Sequence, residues 1–334
     1  MKCHCEPLYC GGEAISSPGG CFAAKAAARN DTRKEIMAKS LTWRETIITA
    51  VIKTCGYSAI VFVALIFFFL LREGLPALSQ VPLADLFSLR WYPIENYFGI
   101  LPLLTGSLIV TVGAMLVAIP FGIGTAVFIA EVAPRWTREI LKPLVELLGG
   151  LPSVVLGFLG ILILAPFLRR FLDLPTGLTA LAGSLLLGGI AVPTIVSIAE
   201  DALDSVPMSY REGALAMGAT RWQTIWRVTL PAARSGVLTA VMLGLGRAIG
   251  ETMAVMMVTG NAPVMATRWN SLFMPARTMT ATIAAEMGEV ANGSTHYQVL
   301  FFIGLVLFLI SLAVNVAASA VVFRQKKRAE RVLS

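Results

Sequence analysis

A chain of 334 residues that is 56% hydrophobic and only 14% charged, with a mean hydropathy of +0.76, is too apolar for a soluble globular domain. Its net charge of +7 would suit nucleic acid in a soluble protein, but the basic residues cluster between apolar stretches. That pattern excludes DNA binding as the meaning of the charge and reads as the loops of a polytopic, all-α integral membrane protein.

The first 36 residues carry Cys3, Cys5, Cys10 and Cys21 with His4. Thiolates and imidazole bind zinc, yet the spacing fits no closed site, and the surrounding Gly, Ser, Ala and Pro predict a disordered tail. No continuous apolar stretch makes it a secretory signal. Met37 opens "MAKSLTWRETIITAVIK", which reads as a natural start and leaves Cys55 without a disulfide partner.

Windows long enough to cross about 30 Å of hydrocarbon, roughly 20 residues each, then occur six times. They fall at 53–71, 103–130, 144–165, 178–199, 236–259 and 298–322. The second is long enough for two short passes, but Pro120 and Gly122 read more simply as a kink in one tilted helix. The segments 1–53, 131–142, 200–235 and 324–334 hold 20 Lys and Arg, against 6 in 72–102, 166–177 and 260–297. That asymmetry, with an even number of spans, predicts both termini in the cytoplasm.

The segment between the fourth and fifth spans holds a candidate docking element. Ser209 reads as the cap of a short helix with Glu212 in its first turn, and Ala214, Leu215, Ala216 and Met217 give it a small apolar surface. Gly218 allows a sharp turn, and Trp222 and Trp226 stand four apart in a second segment that ends at Leu230 and Pro231. Such a segment is either an amphipathic helix at the membrane interface or a knob that inserts into a partner.

Glu212-x-Ala214, three residues, Gly218, nine residues, Val228, then Leu230-Pro231 resembles the E-A-A…G…I-x-L-P loop of ABC importer permeases, with Gly213 where the first Ala would stand. "GRAIGETMAVMMVTGN", "TMTATIAAEMGEV", "HYQVLFFIGLVLFLISLAVN", "LPSVVLGFLG" and residues 98–134 resemble more narrowly the PstC-type permease of phosphate importers. The resemblance runs from Met37 to Asn315 and implies a type I ABC importer permease core at 102–318. A first helix and outer loop at 37–101 would precede it, and the end of the last helix with a basic cytoplasmic tail would follow at 319–334. It implies a bacterial inner membrane, a PstA-type second permease, a PstB-type ATPase dimer and a PstS-type phosphate-binding protein. It also implies that the 209–218 helix docks on the ATPase through Glu212, Ala214 and Gly218.

Arg247 and Glu251 lie inside the fifth span, where each charge costs about 2.5–3.5 kcal/mol at a bilayer centre. On a continuous helix they are about 6 Å apart on one face and can pair. Gly246 and Gly250, with Gly236, Ala240 and Gly244, make a small-residue stripe for close helix contact. The expectation is that Arg247 meets an anion on the substrate path and Glu251 orients it; the alternative is a buried ion pair that fixes helix register. "GGLPSVV" and "AVPTIV" set Ser153 and Thr194 after prolines in spans three and four, as candidates for broken helices near an anion.

None of the eight lysines follows a glycine, so the chain has no phosphate-binding loop of its own, and the expectation is that a partner binds ATP and this chain carries no cofactor. No metal site or catalytic constellation is expected; His296 reads as solvated or interfacial, and Glu286 and Glu289 as a solvated helix face or else a contact for a periplasmic partner. A secondary transporter, a membrane-bound enzyme, and an importer of sulfate or molybdate remain as competing readings.

Overall fold

The computed structural model describes residues 18–265 and 269–333, in two compact units, 1–66 and 67–334. Helix α1 (Pro18–Gly74) begins inside the segment whose composition suggested a disordered tail, while Cys3, His4, Cys5 and Cys10 lie outside the described residues, as does the Cys21 side chain. In the first unit the large apolar side chains of α1, from Ile47 to Ile66, are exposed, as is Cys55. In water such a surface would be untenable; in hydrocarbon it is the expected one.

In the second unit, two single-turn helices, Ala77–Gln80 and Leu83–Leu86, and a hairpin of β1 (Trp91–Tyr92) and β2 (Tyr97–Phe98) lead into α2 (Leu101–Val127). Then follow α3 (Arg135–Gly150), α4 (Ser153–Phe171), α5 (Ala180–Asp204), α6 (Met208–Ala216) and α7 (Arg221–Ala232). The chain ends with α8 (Arg234–Gly250), α9 (Met253–Val258), α10 (Met279–Glu286) and α11 (Thr295–Leu333). The core forms between α2 and α5, whose backbones approach at glycines: a Cβ on Gly113 would stand 2.5 Å from Ser184 Oγ, and one on Gly122 2.7 Å from Ile195 Cγ2.

Helix α2 runs unbroken through Pro120, so one helix, not two passes, fills that segment. Two expected spans need correction. The third begins at Ser153 and ends at Phe171, not 144–165, because Pro152 breaks the chain after Gly150 and leaves α3 as a separate amphipathic helix. The fifth is not one helix over 236–259: it stops at Gly250, resumes at Met253, and is bent by 71° from α7 at its start. Among the described residues five helices are long and apolar enough to cross a membrane, and the α7–α8 pair supplies the sixth.

Three π-helical turns, Phe128–Val132, Gly160–Leu164 and Ile225–Thr229, each end two residues before a proline, Pro134, Pro166 and Pro231. Proline has no N–H for the carbonyl four residues back, and its ring crowds that carbonyl; at Pro166 and Pro231 the helix widens and continues, whereas before Pro134 it ends at extended Ala133.

Candidate functional site

Arg247 stands 13 residues beyond Arg234 on α8, a rise of about 20 Å and well within a membrane's thickness. Its guanidinium is half-buried. Nη1 donates to Thr194 Oγ1 at 2.9 Å and Nη2 donates to the Gly149 carbonyl at 3.1 Å. The two Pro-containing motifs therefore meet at the arginine: Gly149, near the end of α3, from the first, and Thr194, on α5, from the second. Ser153, by contrast, only opens α4. A guanidinium carries five N–H groups, so these two bonds orient it and leave the rest of the fork for another acceptor. Leu148 and Pro193, each adjacent in sequence to one of these two acceptors, also line an apolar groove of about 440 Å³.

Glu251 does not pair with Arg247. Helix α8 ends at Gly250, and Glu251 takes an extended conformation (φ −71°, ψ 130°), so the four-residue spacing no longer puts the two on one face. Instead Oε1 accepts the Thr252 amide at 3.1 Å, at the mouth of α9, while the Glu251 carbonyl accepts Thr280 Oγ1 at 3.2 Å. The carboxylate satisfies amides that the break would leave unbonded. The small-residue stripe divides in the same way: Gly236 and Gly244 pack on Ala202 and Ile195 of α5, whereas around Gly250 a Cβ would meet nothing within 4 Å.

The docking element forms α6, with Glu212 and Gly218 exposed and Ala214 half-buried. Its cap is not Ser209: Pro207 holds that position without a side-chain bond, so Glu212 lies past the first turn. Gly218 has φ +84°, the left-handed conformation that ends such a helix. Thr220 and Gln223 then form a capping box for α7, the rings of Trp222 and Trp226 meet edge to face at 5.8 Å, and Leu230 packs on the core beside exposed Pro231.

Charges that the sequence reading passed over join this end of the bundle. Arg211 of α6 donates through Nε (3.1 Å) and Nη2 (2.8 Å) to Glu131 Oε1, just past α2, and through Nη2 to the Leu203 carbonyl of α5 at 2.9 Å. Glu200, fully buried on α5, accepts Arg138 at 2.7 Å and Lys142 at 2.6 Å, both from α3; Lys142 also reaches Asp201 at 3.0 Å, and Arg138 binds Asp204. The hydrogen bond to Glu200, aided by Asp201 and opposed by burial, holds the Lys142 ammonium above its ordinary pKa. Spacing gave one available signal, Arg138 and Lys142 at i, i+4 opposite Glu200 and Asp204 at i, i+4.

At the opposite end, His296 and Glu286 are not solvated as expected. Glu286 accepts Arg277 Nη2 at 2.8 Å and Trp91 Nε1 at 3.2 Å, and His296 Nε2 lies 2.8 Å from its other oxygen. This node ties the β-hairpin to α10 and α11; Glu289 stays exposed. Among the described residues no cluster of His, Cys, Asp and Glu could hold a metal ion.

Residues 118–328 match the family described as binding-protein-dependent transport system inner membrane component. The chain belongs to that family. It is a transport subunit of the inner membrane, not an enzyme, and its core has the type I ABC importer permease fold. Among its relatives is the probable ABC transporter permease protein YqgH of Bacillus subtilis (strain 168), 45% identical, with 69% of this chain and 74% of that protein covered. The phosphate transport system permease protein PstC of Mesorhizobium japonicum is 38% identical over 74% of this chain and 80% of its own length. Among solved structures, a bacterial alginate ABC transporter with its periplasmic protein aligns over 83% of this chain and 95% of its own, at TM-score 0.58 and 16% identity. The inward-facing MetNI methionine ABC transporter covers 68% and 94% at TM-score 0.50 and 21% identity, a likeness of fold alone.

Proposed function

We propose that this permease carries inorganic phosphate inward across the bacterial inner membrane by alternating access. The observation that carries the reading is the 38% identity to a phosphate permease over 74% of the chain. The broken fifth span supports it. A guanidinium oriented by Thr194 and Gly149, with further donors of its fork unused by the described residues, suits a tetrahedral oxyanion, and broken helices are where transporters bind their substrates. Arg247 is the residue that meets the anion; Glu251 serves by shaping the break.

The partners in this reading are a PstA-type second permease, a PstB-type ATPase dimer and a PstS-type binding protein. The ATPase receives α6, with Glu212, Ala214 and Gly218 at the contact and Leu230 and Pro231 anchoring the segment behind it. ATP stays with that partner. Both termini face the cytoplasm, on the side where 20 of the Lys and Arg gather.

The test is uptake of radiolabelled phosphate at micromolar concentration in a strain lacking the gene, with and without the gene restored. Restored uptake that neither sulfate nor molybdate competes away is the expected result. No restoration, or uptake abolished by sulfate, would overturn phosphate as the substrate.

A further inference from the structure

Two arginines bridge the same two parts of the bundle from opposite ends. Arg211 joins Glu131, in the π-helical turn that follows α2 and four residues before α3, to the Leu203 carbonyl of α5. Arg247 joins the Gly149 carbonyl, near the end of α3, to Thr194 of α5. Between these ends α3 is a single helix of 16 residues, about 24 Å, with Pro143 inside it and without one fully buried residue. Its grip on the bundle joins the ion pairs of Arg138 and Lys142 with Glu200, Asp201 and Asp204 to the half-buried Leu141 and Val145, which pack on the core.

A helix held by ion pairs, two half-buried apolar side chains and one carbonyl has fewer packed contacts to break than the interdigitated α2–α5 core. Helix α6 has no buried residue of its own. Its strong polar hold on the bundle is Arg211, whose side chain is 17% exposed against 10% for Glu131 and so is weakly screened by solvent. A push on α6 therefore reaches Glu131, only Ala133 and Pro134 separate that π-helical turn from α3, and the far end of α3 carries the carbonyl that orients Arg247.

Resting on the functional reading above, we infer that Arg211 is a positioning residue: through Glu131 it makes α3 follow the ATPase-docking helix, and Gly149 at the end of α3 passes the movement to Arg247. The making and breaking of the Arg247–Gly149 bond is then the local event that ties substrate access to nucleotide state.

The experiment uses the complete complex in vesicles, with the five native cysteines of this chain replaced and spin labels at exposed Leu147 of α3 and exposed Leu116 of α2. ATP with vanadate should shift the distance between labels. Arg211→Ala, and independently Glu131→Gln, should abolish the shift and lower substrate moved per ATP at least tenfold, with nucleotide hydrolysis and ATPase co-purification retained. Arg211→Glu combined with Glu131→Arg should restore both. An undiminished shift in either single variant, or a reversed pair no better than the singles, would overturn the inference. The label distance does not depend on substrate identity, so an unsubstituted complex that shifts but moves no phosphate would refute the phosphate reading alone.

Discussion

Arg247 and Thr194 are joined by a 2.9 Å hydrogen bond across 53 residues of chain, and the hydroxyl stands one residue beyond Pro193 inside α5. A guanidinium in a membrane span must be fixed or hydrated, and here a hydroxyl and a carbonyl fix it. Thr194→Val keeps the shape and deletes one acceptor of a charged donor, worth about 1.5–3 kcal/mol. Phosphate uptake should fall about tenfold or more in that variant, while Thr194→Ser stays near the unsubstituted level. Arg247→Gln should abolish uptake at normal membrane abundance, and full uptake would exclude Arg247 from the substrate path.

Glu251 makes a different demand. Its Oε1 accepts an amide at the mouth of α9, a role that a glutamine carbonyl also fills. Glu251→Gln should therefore keep uptake within about threefold, whereas Glu251→Ala loses the cap, about 1 kcal/mol, and lowers thermal stability. If Glu251→Gln behaved like Arg247→Gln, the charge itself would be acting on the substrate, and the capping role would be insufficient.

The class of fold was legible because apolar length alone marks a membrane helix: Ala180–Asp204 and Thr295–Ala320 fall on windows visible by inspection. The break at Glu251 was not, because a Gly-Glu-Thr stretch continues a helix as readily as it ends one until the tertiary contact of Thr280 with the Glu251 carbonyl is known. The same holds for the third span, where the apolar residues of α3 extended the window backward although Pro152 stops the helix. Arg247 was found by its cost in hydrocarbon, but its partners Gly149 and Thr194 come from 98 and 53 residues away, beyond the reach of local spacing. Arg211 escaped notice since a cation beside a membrane is ordinary, and its pairing with Glu131 depends on how α6 returns to α2.

Gly218 tests the turn behind the docking helix. Its φ of +84° is strained for any residue with a Cβ, yet a Cβ there would touch nothing within 4 Å, so the cost of a substitution is backbone strain alone. Gly218→Ala should cost about 1–2 kcal/mol and weaken ATPase co-purification about three- to tenfold. Gly218→Asn should lose less, because asparagine tolerates the left-handed region. Equal retention of the ATPase by the alanine variant and the unsubstituted chain would remove this turn from the docking element.

Lys142 gives a pH test with a definite sign. Its folded pKa lies above the ordinary value of 10.5, chiefly through the hydrogen bond to Glu200. A base whose pKa is raised by folding contributes stability that is complete below its unfolded value and is lost as pH rises through the folded one. The interaction is thus constant across neutral pH and fails only in strong alkali. Lys142→Arg carries a guanidinium that stays charged past pH 12, so it should match the unsubstituted protein near pH 8 and melt at least about 2 °C higher near pH 11.5. The measurement is intrinsic-fluorescence melting of the purified complex across that range. Parallel decline of the two proteins in alkali would mean that the grip of α3 on Glu200 does not depend on the lysine's charge.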